Sequence, residues 1–418
     1  MANSDGAAAP CRASIAVGGL GQSLIGGHVA PGFEPVLAVF ESQFRSGNEI
    51  GAACAAYVGG QCVVDLWGGQ RVPGAEEPWT RDTLALVMST TKGLSAMAMA
   101  VAHSKGLFDY DDPVAQHWPD FAQNGKSAIT IRQLMAHQAG LPAIDTFLTK
   151  SLFANLDELA PILARQKPAW PAGDRHGYHS VSLGHFQNEL IRRVDPKGRT
   201  IGQFFQEEIA LPMGGGMYIG LPDQIPDTRL AGIKVQQSWQ AARELPLSFF
   251  LGLMNPFGLA AKSSRNPKFR KFEDILSRDT LRLEFPSLNG MVTARAVAKT
   301  YAAFAALSPQ LGLNRATLEQ LERPSLMPLR GARDALLHVD IAYSLGFNKP
   351  FPRFPFGSDS RAFGTSGVGG SQGFADPATG LGFAYTPNKL VVGYVDDPRA
   401  RALRETTYRC LSSRGDAV

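Results

Sequence analysis

Phe33, Val36, Leu37, Phe40 and Phe44 recur at intervals of three or four, a pattern that predicts an amphipathic helix over residues 33–47. Directly after it the pattern changes. IGAACAAYV and QCVVDLWGG read as two strands joined at Gly59-Gly60, a pair suited to a tight hairpin. A short apolar run, TLALVMS, then ends at Ser89, and from Thr90 to about Lys105 strong helix formers continue until Gly106 stops them. Between about 110 and 300 the pattern is mostly helical. Thr130 is placed as the N-cap of IRQLMAH, ended by Gly140, while LDELAPILARQ and TIGQFFQEEI predict further helices. In YDDP at 110–113, Asp111 or Asp112 is expected to cap a helix begun by Pro113. Near the end, GGSQGFADPATGLGFAYT reads as two strands about an Asp376-Pro377 turn, and DPRARALRETTYRCL as a closing helix.

Strand signals thus cluster at both ends of the chain, with helices between them. The fold class this predicts is α+β: one sheet built from both chain ends and flanked by helices, with an inserted helical domain. The matching division is a mobile leader over 1–30, a sheet domain over 31–110 and 290–418, and a helical domain over 111–289. A lid-like segment is expected at 240–275. Within it, LPLSFFLGLMNPFGLA at 245–260 is too short to span a bilayer. It is either an acyl-binding lid, with Phe249 and Phe250 facing substrate, or core between two lobes.

Composition narrows the function classes. The 418 residues are 44% hydrophobic and 19% charged, which is ordinary for a globular enzyme. The 41 basic and 37 acidic residues are mixed along the chain, so neither a nucleic-acid nor a membrane partner is expected. Cysteines 11, 54, 62 and 410 form no CxxC pair, and hairpin alternation sets Cys54 and Cys62 on opposite faces, unable to bridge. A reducing, cytoplasmic location follows as the expectation. The glycine-broken N-terminal stretch reads as a leader rather than a signal peptide. His176, His179 and His185 lie close together in HGYHSVSLGH, but no HExxH or carboxylate accompanies them, so they are expected to be structural and no metal or other cofactor is expected.

Two serines compete as nucleophile. GGSQG at 369–373 matches the G-x-S-x-G elbow of α/β-hydrolases, in which the triad histidine follows the serine in the chain. All eight histidines precede Ser371, and a hairpin pattern rather than a helix follows it. Ser89 has better surroundings. It opens STTK, an S-x-x-K tetrapeptide at the start of a helix, where side chains three apart share a face and Lys92 can reach the Ser89 hydroxyl. A lysine deprotonates a serine only if burial or nearby charge lowers its pKa, and the apolar run after Lys92 could provide that burial. The tetrapeptide alone also fits a capping serine beside a solvated lysine.

MSTTKGLSAMAMAVAHSKGLFDYDDPVAQHWPDF followed by ITIRQLMAHQAGLP closely resembles the serine β-lactamase and penicillin-binding-protein superfamily, nearest its class C-like branch with the family VIII carboxylesterases. The resemblance runs from roughly 30 to 410. It implies a β-lactamase-like fold with a mostly antiparallel sheet, and Ser89, Lys92 and Tyr178 as catalytic residues, Tyr178 standing at the tyrosine of the family's Tyr-x-Asn motif. Ser180 replaces that motif's asparagine. Thr365, Ser366 and Gly367 fall at the third motif, usually Lys-Thr-Gly, and the basic first residue is missing. Backbone N–H groups of Ser89 and Val368 are implied as the oxyanion hole. The function implied is a serine carboxylesterase acting on small or medium esters through an acyl-enzyme on Ser89, with a small-molecule ester as substrate. Acyl transfer, β-lactam or D-amino-acid peptide cleavage, and a non-catalytic assembly role remain alternatives.

Overall fold

The computed structural model describes residues 13–16, 22–237, 251–252 and 254–414. Its main sheet has seven strands: β1 (Ala13–Ala16), β2 (Gln22–Val29), β3 (Gly51–Val58), β4 (Gln61–Gly69), β5 (Phe363–Ser366), β6 (Gln372–Asp376) and β7 (Leu381–Pro387). Their order is β1-β2-β4-β3-β7-β6-β5, with every neighbouring pair antiparallel. Both ends of the chain therefore build one sheet, as the clustering of strand signals predicts. Gln22–Val29 corrects the leader expected over 1–30: it pairs with β4 as a strand of this sheet, its glycines permitting close strand contact.

The helices that fix the site are α1 (Glu34–Arg45), α2 (Thr91–Ser104), α3 (Ser182–Val194), α4 (Leu259–Ser264), α5 (Ala294–Ala305) and α6 (Pro398–Arg414). The first and last, α1 and α6, cover one face of the sheet, where Val36, Phe40, Phe44 and Leu403 pack with Cys54, Ala56, Phe383 and Tyr385. On the other face α5 lies against Ala53, Ala55 and Ala384. Small residues on that face let the helix come close: a Cβ on Gly382 would sit 2.2 Å from both the Ala298 carbonyl and the Ala302 nitrogen. With both faces covered, β3 is buried along nearly its whole length and shows an apolar run instead of alternation.

Most local expectations match the structure. Phe33, Val36, Phe40 and Phe44 are buried by α1, and Gly59 and Gly60 turn the hairpin with φ of +54° and +83°. Cys54 and Cys62 fall in separate apolar clusters and are free thiols. Thr130 caps its helix in a reciprocal box with Gln133. That helix ends at Met135, short of Gly140, because His137 already takes a left-handed φ of +59°. The YDDP carboxylates do not cap. Pro113 itself occupies the N-cap position, while Asp111 grips Arg132 at 2.6 and 3.0 Å and Asp112 accepts from the Asp109 N–H.

A three-stranded patch joins Ala85–Leu86, Met291–Val292 and Met217–Tyr218. It holds the residues just before Ser89 against those just after a loop at 284–290, and so brings that loop to the nucleophile's turn.

Candidate active site

Ser89 sits in a single 3-10 turn, Met88–Thr90, that leads into α2. Met88 adopts φ +46°, a left-handed conformation that costs free energy in a residue with a side chain and survives only where neighbours hold it. Those neighbours are present. Thr91 Oγ1 donates to the Met88 carbonyl at 2.6 Å and accepts from the Gly290 N–H at 2.8 Å. Ser371 Oγ donates to the Val87 carbonyl at 2.8 Å and lies 3.0 Å from Thr90 Oγ1. Ser371, with only 1% of its surface exposed, is thus a clamp between the β5–β6 wall and the Ser89 turn, and its hydroxyl is engaged in that clamp. The wall itself approaches closely, since a Cβ on Gly367 would meet the Val87 carbonyl at 2.3 Å.

Helix α2 is buried all round, every residue from Thr91 to Ala102 being enclosed, and Lys92 in its first turn is enclosed with it. Lys92 Nζ lies 3.3 Å from Ser89 Oγ and donates to the carbonyls of Ser180 at 2.6 Å and Ser287 at 3.1 Å. Among the described residues no carboxylate pairs with it. Burial without a counter-charge disfavours the ammonium and lowers its pKa from 10.5 to about 7. Tyr178 completes the group: its ring lies 4.8 Å from Lys92 Nζ and its hydroxyl hydrogen-bonds the Ser89 side chain. Burial raises the Tyr178 pKa to about 12, against a lowering by the Ser89 bond, so near neutrality the phenol keeps its proton while the lysine can lose one.

A nucleophile-sized hydroxyl, an enclosed amine able to be neutral, and a protonated phenol therefore meet at one point. The beta-lactamase family model matches residues 37–407 of this chain, nearly its whole length. The chain belongs to the beta-lactamase family. It is 32% identical to the Esterase/beta-lactamase LipL of Mycobacterium tuberculosis (strain ATCC 25618 / H37Rv) over 87% of this chain and 83% of that protein. Among solved structures it resembles a family VIII carboxylesterase (32% identity, TM-score 0.78) and a penicillin-binding-protein homologue from Caulobacter crescentus (34%, TM-score 0.80). Each alignment covers 93% of this chain and 100% of the other. Membership and these relatives make the protein a serine hydrolase with the β-lactamase-like fold.

The other residues named from the sequence fall in varied places. Ser180 contributes its carbonyl to Lys92, while its N–H donates to Ser263 Oγ at 3.3 Å. Thr365 is buried, and its hydroxyl donates to the Thr90 carbonyl at 3.2 Å, so it braces the wall rather than presenting a free group to a ligand. Ser366 and Gly367 are half-buried and Val368 is 44% exposed. Phe249 and Phe250 lie outside the described residues. In the neighbouring described residues, Leu251, Met254 and Phe257 are exposed, which removes the core-between-lobes alternative for that part of the segment. Of the three histidines, His176 Nδ1 is 3.1 Å from the Ala136 carbonyl, His179 Nδ1 is 2.6 Å from the Gly177 carbonyl, and His185 is buried. Among the described residues no group of histidine, cysteine and carboxylate side chains could hold a metal ion.

Several supporting residues escape a reading of the sequence. Ser287 gives Lys92 a carbonyl, and its hydroxyl accepts from the Gly184 N–H at 2.9 Å, locking the 284–290 loop to α3. Asp334, fully buried, accepts from the N–H groups of Leu336 and Leu337, from the Tyr343 hydroxyl and from the Tyr178 N–H, anchoring the backbone that carries Tyr178. The acceptors on Lys92 are main-chain atoms, which any residue type supplies. Asp334 is distant in the chain, with no local motif.

Proposed function

We propose that the protein is a carboxylesterase that hydrolyses small or medium carboxylic esters, with Ser89 as nucleophile, Lys92 as base and Tyr178 as proton carrier. The observation that carries this is the hydrogen bonding of Lys92. A neutral amine has two N–H donors and one lone pair. Two carbonyls, Ser180 and Ser287, take the donors, which leaves the lone pair for the Ser89 hydroxyl 3.3 Å away. Ser89 Oγ then attacks the ester carbonyl carbon while its proton passes to Lys92 Nζ, directly or through the Tyr178 hydroxyl. As the bond to the alkoxy oxygen breaks, the same proton goes to the leaving alcohol. Water attacks the acyl-enzyme by the same route, giving its proton to Lys92 and releasing the acid with Ser89 restored. The N–H groups of Ser89 and Val368 would hold the oxyanion.

Preference for an ester over an anionic β-lactam rests on the third motif. A basic residue is absent there, and the Thr365 hydroxyl is already bonded to Thr90. The relatives' names, an esterase/beta-lactamase and a carboxylesterase, favour the same class. The test is turnover of aryl esters of graded acyl length beside a chromogenic cephalosporin, with an added alcohol as competing acceptor. Ester turnover that exceeds cephalosporin turnover and vanishes in Ser89→Ala is expected. Rapid cephalosporin cleavage without ester turnover, or diversion of nearly all product into a new ester by the alcohol, would replace hydrolysis of esters with one of the alternatives.

A further inference from the structure

Averaged over the chain the charge is nearly balanced, but residues 251–272 are not. They contain Lys262, Arg265, Lys268, Arg270 and Lys271 and no acidic residue, so this one segment accounts for more than the whole formal charge of +4. Lys268, Arg270 and Lys271 are exposed. So are large apolar side chains of the same segment: Leu251 at 56%, Met254 at 76% and Phe257 at 84%, with Leu259 and Phe272 less so. The turn carrying Phe257 is closed by its own hydrogen bonds, the Phe257 N–H to Asn255 Oδ1 at 3.1 Å and the Gly258 N–H to the Asn255 carbonyl. Phe147, 63% exposed, lies in a stretch held to Lys262 and Asn266 of the same segment. Asn266 bonds the backbone of Ile144, Thr146 and Leu148, and Lys262 pairs with Asp145 at 2.9 Å.

Exposed aromatic and aliphatic side chains cost solvation free energy, and bordering them with an excess of cations, here five against Asp145, Glu273 and Asp274, is the pattern of a surface that enters the interface of an anionic bilayer. A second copy of the chain fits poorly, because a two-fold contact would set two such cationic patches against each other. We propose that the surface formed by Phe147 and the described residues of 251–272 docks on anionic lipid. Helix α4 connects it to the candidate active site: Ser263 Oγ donates to the Tyr178 carbonyl and accepts from the Ser180 N–H, both at 3.3 Å. A docked bilayer would lie beside the segment bearing Tyr178, and the esters delivered would be lipophilic ones dissolved in that bilayer. This consequence for substrate rests on the esterase proposal, whereas the docking does not. Docking at a surface needs no spanning helix, and none of the described helices is long and apolar enough to cross a membrane.

The experiment is co-sedimentation of the full chain with phosphatidylcholine vesicles, with and without about one-third phosphatidylglycerol, at low and raised salt. Binding only to the anionic vesicles, weakened by salt, is expected. Lys268→Glu/Arg270→Glu/Lys271→Glu should lower the partition coefficient by about a hundredfold or more. The same triple variant should keep its thermal unfolding profile and its turnover of a short water-soluble ester. Phe257→Ser should weaken binding without removing its salt dependence. No binding to anionic vesicles, binding unchanged in the triple variant, or a dimer in light scattering that Phe257→Ser dissolves would overturn the proposal. Because sedimentation reads no catalysis, failure of the esterase proposal would leave this result interpretable.

Discussion

A lysine enclosed without a carboxylate is poised between two forms, and which form prevails decides whether Ser89 can be activated. Burial holds Lys92 near 7, so the neutral base is scarce below that pH and prevails above it. With a non-ionising ester, kcat/KM should rise as pH passes through about 7 and then level off, the Tyr178 phenol staying protonated up to about 12. Lys92→Met should lower kcat/KM by about 10²–10⁴-fold and abolish that inflection, which a pH–rate profile of both proteins would show. An inflection retained in the variant would assign the base elsewhere. Helical spacing shows in the sequence that Lys92 can reach Ser89, while the family resemblance is what singles the pair out as catalytic. Tyr178 becomes legible only through the family resemblance. Ser287 and Asp334 are not legible, since one acts through its main chain and the other through tertiary contacts that the chain's order does not display.

Among the elements, β7 and α5 pack backbone to backbone. Gly382 admits the backbone of α5 at a distance that any Cβ would violate, and backbone atoms cannot swing aside. Gly382→Val should therefore destabilise the fold by about 1–3 kcal/mol or more, read as a lower denaturation midpoint in urea. Ser371 gives a different kind of prediction. As a clamp on the Val87 carbonyl its loss should cost about 1 kcal/mol and change ester turnover by no more than about tenfold. Complete loss of turnover in Ser371→Ala, with folding intact, would restore it as a nucleophile. Helix α1 is legible from its apolar period, and β3, β4 and α2 from apolar runs bounded by glycine. At YDDP the sequence misleads because proline takes the cap position, and at Gln22–Val29 because glycines interrupt the strand pattern.

Across the whole molecule, buried charges tie Glu49 and the start of α6 to the loop between β5 and β6. Arg399 reaches Asp397 at 2.8 and 3.0 Å, Glu49 at 3.1 Å and the Gly369 carbonyl at 2.9 Å, and Glu49 also accepts from the Tyr385 hydroxyl. Burial lifts the Glu49 pKa from 4.5 to about 7, against the pull of Arg399. A raised carboxyl pKa means the folded state holds the proton better, so this group's contribution is full below 4.5 and is lost as pH rises through about 7. Arg399→Met leaves the carboxylates uncompensated and should cost about 3–5 kcal/mol at neutral pH, with the deficit shrinking towards acid as Glu49 protonates. Denaturant titrations at about pH 5 and about pH 8 would check both the size and the sign. A deficit independent of pH would show that Arg399 acts through packing alone.

The central claim is that Ser89 forms the acyl-enzyme. Treatment with an alkylphosphonate ester followed by peptide mass spectrometry measures this most directly. A single adduct on Ser89, absent in Ser89→Ala and slowed in Lys92→Met, is the expected result, and an adduct on Ser371, or ester turnover that survives Ser89→Ala, would contradict it.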